Sequence, residues 1–170
     1  MDASRNATQQ AVTEAEGYLE LGMINHALAT LDRLGKTEGL GSRAVQIKGE
    51  ALRMAGRHEE AVIVLKRAVD LDPKIFSVWL ALGWCYKRIG RIEMAIQSLD
   101  MALEIEPRNA LIHYNLACYW SLNGNTQKAL QSLTIAIDID SHYREFIDSE
   151  SDLDPIRWDP QFVAMTNAIV

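Results

Sequence analysis

An all-α fold, an α-solenoid of antiparallel helix hairpins closed by a C-terminal capping helix, is predicted by three features of this 170-residue chain. A 34-residue period recurs four times, starting at Thr8, Ser42, Phe76 and Ala110. Glycine occupies position 15 of every copy, as Gly22, Gly56, Gly90 and Gly124. Small residues recur in register at position 8 (Ala15, Gly49, Gly83, Ala117) and position 20 (Ala27, Ala61, Ala95, Ala129). One helical hairpin cannot bury its apolar face alone, so copies at this spacing are expected to stack.

Each copy spells out the same hairpin. The glycine at position 15 takes a positive φ without a Cβ penalty and ends the first helix. Small residues at 8 and 20 let the two helix axes approach, and the large residues at 11 (Tyr18, Leu52, Tyr86, Trp120) and 24 (Leu31, Leu65, Leu99, Leu133) fill the space beside them. The first copy, 8–41, departs most: Ala11, Glu14 and Leu34 break the pattern, and Gly35, Gly39 and Gly41 shorten its second helix. It is either a full repeat or an N-terminal cap. The copies at 42–75 and 76–109 end at Asp72-Pro73 and Glu106-Pro107, where proline stops the second helix. The fourth copy, 110–143, carries His113 where the third has Trp79. Residues 1–143 are thus read as the solenoid and 144–170 as an acidic turn segment and capping helix of the same domain.

The run Trp79-x-x-Leu82-Gly83-x-x-Tyr86, followed by Ala95-x-x-x-Leu99 and Pro107, resembles the tetratricopeptide repeat. The resemblance covers residues 8–143 and implies a superhelix whose concave groove holds a partner protein. Asp152-Leu153-Asp154-Pro155 with Asp159-Pro160-x-Phe162 is similar to the segment that closes the solenoid in many bacterial members.

Composition narrows the function classes. The chain is 48% hydrophobic with a net charge of −6, and only the second copy is net basic, an excess too small for a phosphate-tracking stripe. Nucleic acid is therefore excluded as a partner. The longest stretch without charge, 109–127, holds His113, Asn109, Asn115, Asn123, Asn125 and Gln127, which argues against membrane insertion. No basic segment with an apolar core follows Met1, and Cys85 and Cys118 lie inside predicted helices, so free thiols and a cytoplasmic location are expected. Histidines 26, 58, 113 and 142 fall at different repeat positions without ligand spacing, and no catalytic signature appears. Neither enzymatic activity nor a cofactor is expected.

Past the fourth copy, Asp148, Glu150, Asp152, Asp154 and Asp159 suggest a metal loop, but a calcium loop needs a glycine at its sharp turn and the segment has none, so no metal is expected. Asp154-Pro155 and Asp159-Pro160 each look like an N-cap followed by proline at the first helical position. The second helix is expected to lay Phe162, Val163, Met165 and Ile169 on the exposed end of the fourth copy.

Positions 2, 5, 9 and 12 of each first helix form a stripe that packing does not consume. The family resemblance places this stripe along the groove. It supplies Arg43, Gln46, Glu50 and Arg53 from the second copy, Leu80, Trp84 and Lys87 with the adjoining Arg88 from the third, and Leu111, Tyr114 and Cys118 from the fourth. Trp84 and Tyr114 either anchor a ligand or are covered by the next copy or by the C-terminal segment folding back. The carboxylate clamp of chaperone-tail adaptors is absent: its positions carry Val12, Glu16, Ile47, Ser77 and Ala81, or, one copy on, Gln46, Glu50, Ala81, Leu111 and Asn115. The expected function is a non-enzymatic module that binds a peptide or amphipathic helix of another protein. The alternative is a dedicated chaperone or assembly factor for an exported or complex-forming client.

Overall fold

The computed structural model describes residues 2–35 and 39–168, which contain helices and no strand. The helices are α1 (Asp2–Glu20), α2 (Ile24–Asp32), α3 (Ser42–Met54), α4 (His58–Leu71), α5 (Phe76–Arg88), α6 (Ile92–Ile105), α7 (Ala110–Leu122), α8 (Thr126–Ile139) and α9 (Pro160–Ala168). Two short 3-10 helices, Ser141–Phe146 and Ser151–Ile156, precede α9. The described residues form two compact units divided between Ile89 and Gly90, inside the third copy.

In the first unit α1 pairs with α2 and α3 with α4, and α5 packs on α4 and α3. In the second, α7 pairs with α8 and receives α6, while the 3-10 helices settle on α8 and α7 respectively. The first copy does form a hairpin, but its second helix spans 9 residues against 14 in the others.

Local chemistry explains the boundaries. The four position-15 glycines share φ values of 71–75°. At Gly56 the αL turn lets Arg57 N–H reach Leu52 C=O at 3.0 Å and Gly56 N–H reach Arg53 C=O at 3.1 Å, so the last carbonyls of α3 are satisfied. Asp72 is extended before Pro73, and α4 ends there. The Trp79 indole N–H donates to Pro73 C=O at 2.9 Å, and His113 Nε2 bonds Pro107 C=O at the same distance. His113 therefore does the tryptophan's polar work in the fourth copy: a donor six residues past a proline carbonyl ties each linker to the helix that follows.

The core sits between the paired helices. Leu31, Leu65, Leu99 and Leu133 are all at most 1% exposed, and Ala27, Ala61, Ala95 and Ala129 are fully buried. A Cβ added at Gly49 would lie 2.5 Å from Leu65 Cδ2, so the two helices meet there with no room for a methyl group.

The C-terminal segment differs from the sequence expectation at its first turn. Pro155 lies inside the second 3-10 helix, which is capped by Glu150 rather than Asp154, with Asp152 N–H donating to Glu150 Oε1 at 3.0 Å. Asp154 lies inside that 3-10 helix rather than at its start, and its carboxylate accepts from Arg157 Nε at 2.9 Å. Asp159 does begin α9, accepting from Gln161 N–H at 2.8 Å. Phe162 is buried and Thr134 Oγ1 approaches Met165 Sδ at 3.6 Å, so α9 lies against the fourth copy. Val163 remains exposed, and Ile169 lies outside the described residues.

Two measurements check this packing. Gly49→Ala gains helix propensity of about 1 kcal/mol but overpacks by about 1–3 kcal/mol, so urea unfolding is expected to show a less stable variant. Asp140 accepts from both His142 N–H and Nδ1 at 3.0 Å. These bonds hold the Asp140 carboxyl below its ordinary range and raise the His142 imidazole above its own. The aspartate's contribution is lost as pH falls through its lowered pKa, and the histidine's is full below 6.5 and lost as pH rises through its raised pKa. Stability of His142→Ala relative to wild type should therefore be lower near pH ~5.5 and converge on wild type near pH ~9.

Candidate functional site

In the first unit the expected stripe is assembled around Trp84. Helix α5 presents Trp84 half-buried, with the His58 ring against it edge-on at 5.0 Å between centroids and 80° between planes. Arg53 and Arg88 place their guanidinium carbons 5.1 and 5.5 Å from the indole centroid, so two cations face one π system. Arg53 is itself gripped by Glu50, one turn earlier on α3, through Nε to Oε2 at 2.8 Å and NH2 to Oε1 at 2.5 Å. The Glu50 hydrogen bonds raise the Arg53 pKa further, against the opposing effect of burial. Arg88 is exposed and makes no ion pair among the described residues. His58 Nδ1 is buried without a hydrogen-bond partner among them. Behind this surface the Cys85 thiol is fully buried and is pushed up to about 11 by desolvation, with Arg53 pulling the other way.

The rest of the first-unit stripe is polar and partly self-satisfied. Arg43 pairs with Glu16 of α1, and Gln46 Nε2 donates to Ser42 Oγ at 2.8 Å. Leu80 and Lys87 are half-buried on α5. Glu50, Arg53, Trp84 and Arg88 thus come together, while Arg43 and Gln46 find partners elsewhere.

In the second unit the stripe on α7 is covered. Tyr114 is 6% exposed and Cys118 2%, and Ser121 is fully buried. Tyr143 of the first 3-10 helix lies over Tyr114 at 4.8 Å between centroids and touches Phe146 in turn at 6.1 Å. Of the two alternatives for Tyr114, the structure adopts the one in which the C-terminal segment folds back. Leu111 alone of the three expected fourth-copy residues stays exposed, at 44%. Arg157 braces that segment internally: its NH2 donates to Glu150 C=O at 3.0 Å and its fork reaches Ile147 C=O at 3.4 Å. A lone arginine among acidic residues carried no periodic signal, so this clasp was not legible in the sequence.

No described helix is long and apolar enough to cross a membrane, and Cys85 and Cys118 are buried and form no disulfide among the described residues.

Comparison with known proteins follows the same geometry. Two models of the tetratricopeptide repeat match the chain, over residues 12–74 and 52–117. Among solved structures, a MamA fragment from Desulfovibrio magneticus RS-1 superposes with a TM-score of 0.82 at 18% identity, over 96% of this chain and 90% of that one. Another MamA crystal structure gives 0.75 at 20% identity over 85% and 84%. YrrB, described as a tetratricopeptide protein with an unusual peptide-binding site, gives 0.72 at 24% identity over 82% and 71%. Among curated proteins no sequence relative matches.

Arg157→Ala removes hydrogen bonds from a charged donor to two carbonyls and should cost about 1–3 kcal/mol. Near-ultraviolet circular dichroism is expected to report loosening of the Tyr114 and Tyr143 rings at the same time.

Proposed function

The chain belongs to the tetratricopeptide repeat family, and on that premise we propose that it is a non-enzymatic interaction module that binds a segment of another protein at the α3/α5 surface around Trp84. Proteins of this fold generally serve as scaffolds rather than catalysts. The observation that carries the reading is a half-exposed tryptophan flanked by two guanidiniums, one of which, Arg88, has no acidic partner among the described residues. Tryptophan and arginine in combination are the usual energetic centre of an interface.

The chemistry of the surface describes the ligand. An apolar or aromatic side chain packs on the indole face, and a carboxylate beside it meets Arg88, with Arg53 held in place by Glu50. A peptide or amphipathic helix with that pair of features fits. Arg43 and Gln46 are polar neighbours already satisfied within the protein, so they shape the rim and contribute little. On α7, the cover over Tyr114 and Cys118 leaves Leu111 as the residue a ligand reaches directly.

Pull-down with wild type and Trp84→Ala, both confirmed folded by circular dichroism, tests the site. The variant is expected to lose about 2 kcal/mol, roughly 30-fold in Kd for the recovered partner. Equal recovery by both proteins rejects the Trp84 surface. Recovery of one stoichiometric client in place of several weak ligands would identify the module as a dedicated chaperone.

A further inference from the structure

The acidic segment after the fourth copy, which lacks a calcium-loop pattern, meets α7 at one point. Ligand atoms of Cys118, Glu150 and Asp152 lie within 4.8 Å of one another. Cys118 comes from the middle of α7 and is 2% exposed, whereas Glu150 and Asp152 flank the start of the second 3-10 helix and are half-buried. One turn before Cys118 on the same helix face, the Tyr114 hydroxyl is buried and has no hydrogen-bond partner among the described residues. A buried phenol left unpaired costs about 1–3 kcal/mol, so its presence beside three ligating groups needs an explanation. We propose that Cys118, Glu150 and Asp152 form a binding site for a divalent cation of the zinc class, with the Tyr114 hydroxyl hydrogen-bonded to the ligand in the fourth position.

The donor set selects the ion. Calcium and magnesium take six or more oxygen ligands, while one thiolate with two carboxylate oxygens suits the borderline-soft, four-coordinate zinc ion. Zinc bonds of about 2.0–2.3 Å require ligand atoms closer together than 4.8 Å, and the half-buried Glu150 and Asp152 side chains have the freedom to close that gap. Glu150 Oε1 accepts from Asp152 N–H, leaving Oε2 for the metal and fixing the carboxylate's direction. Binding converts the Cys118 thiol to a thiolate and releases one proton to solvent, so affinity rises with pH. The ion bridges α7 to the segment that Arg157 clasps, and so staples the cover over Tyr114.

Zinc titration of the untagged, chelator-treated full chain by calorimetry, with cobalt as a spectroscopic substitute, tests the site. Wild type and Cys85→Ala are expected to take up one ion per chain, with proton release and a thiolate-to-cobalt charge-transfer band. Cys118→Ser should abolish the band, and Cys118→Ser and Asp152→Asn should each weaken binding by at least about tenfold. Tyr114→Phe should weaken binding about tenfold while leaving the metal-free protein no less stable, an outcome that a purely packing role for the hydroxyl does not produce. Absence of uptake by the folded wild type, or uptake unchanged in Cys118→Ser, overturns the proposal.

Discussion

Close approach of paired helices at small residues is the constraint on which everything else depends. Where Gly49 meets Leu65 the spacing leaves no room for one carbon, and the leucine beside it is 1% exposed. Alanine at position 20 is fully buried in every copy. Interiors packed to this density tolerate neither an added methyl nor a void, so residue size at these positions is set by geometry rather than by polarity.

Polar groups hold the order of the hairpins once the core is set. Each linker proline ends a helix and offers a carbonyl that a ring N–H six residues later takes up, Trp79 in one copy and His113 in the next. The two rings share no shape, only a donor in the right place. Asn109 and Asn125 cap α7 and α8 through their side chains, whereas α2 to α6 start without such a cap and rest on packing. Helical stability here comes chiefly from the apolar face.

The exposed stripes on α5 and α7 meet different fates because different neighbours are available. Around Trp84 the neighbours are cations and a histidine edge, which hold the indole in place and leave it half open. Around Tyr114 the neighbours are Tyr143 and the second 3-10 helix, in a segment that Arg157 braces internally through backbone carbonyls. Like stripes in sequence thus stay half open in one unit and become an interior in the other. The covered stripe keeps polar atoms, the Tyr114 and Ser121 hydroxyls, that an interior built only for packing would not contain.

The period, the glycine turns, the proline stops and the core positions were all legible in the chain itself, because each is a local rule repeated at fixed spacing. The αL glycines, the buried leucines and the shortened second helix of the first copy follow from single residues and their neighbours along the helix. The start at Asp159-Pro160 was legible for the same reason. The cap moved from Asp154 to Glu150 because the 3-10 helix begins at Ser151, which leaves Asp154 inside it with its carboxylate on Arg157. Burial of Tyr114 under Tyr143, and the gathering of Cys118 with Glu150 and Asp152, join residues far apart in the chain with no spacing rule between them. Periodicity determines which face of a helix is apolar, but only tertiary structure decides what covers it, since coverage depends on where a non-repeating segment comes to rest.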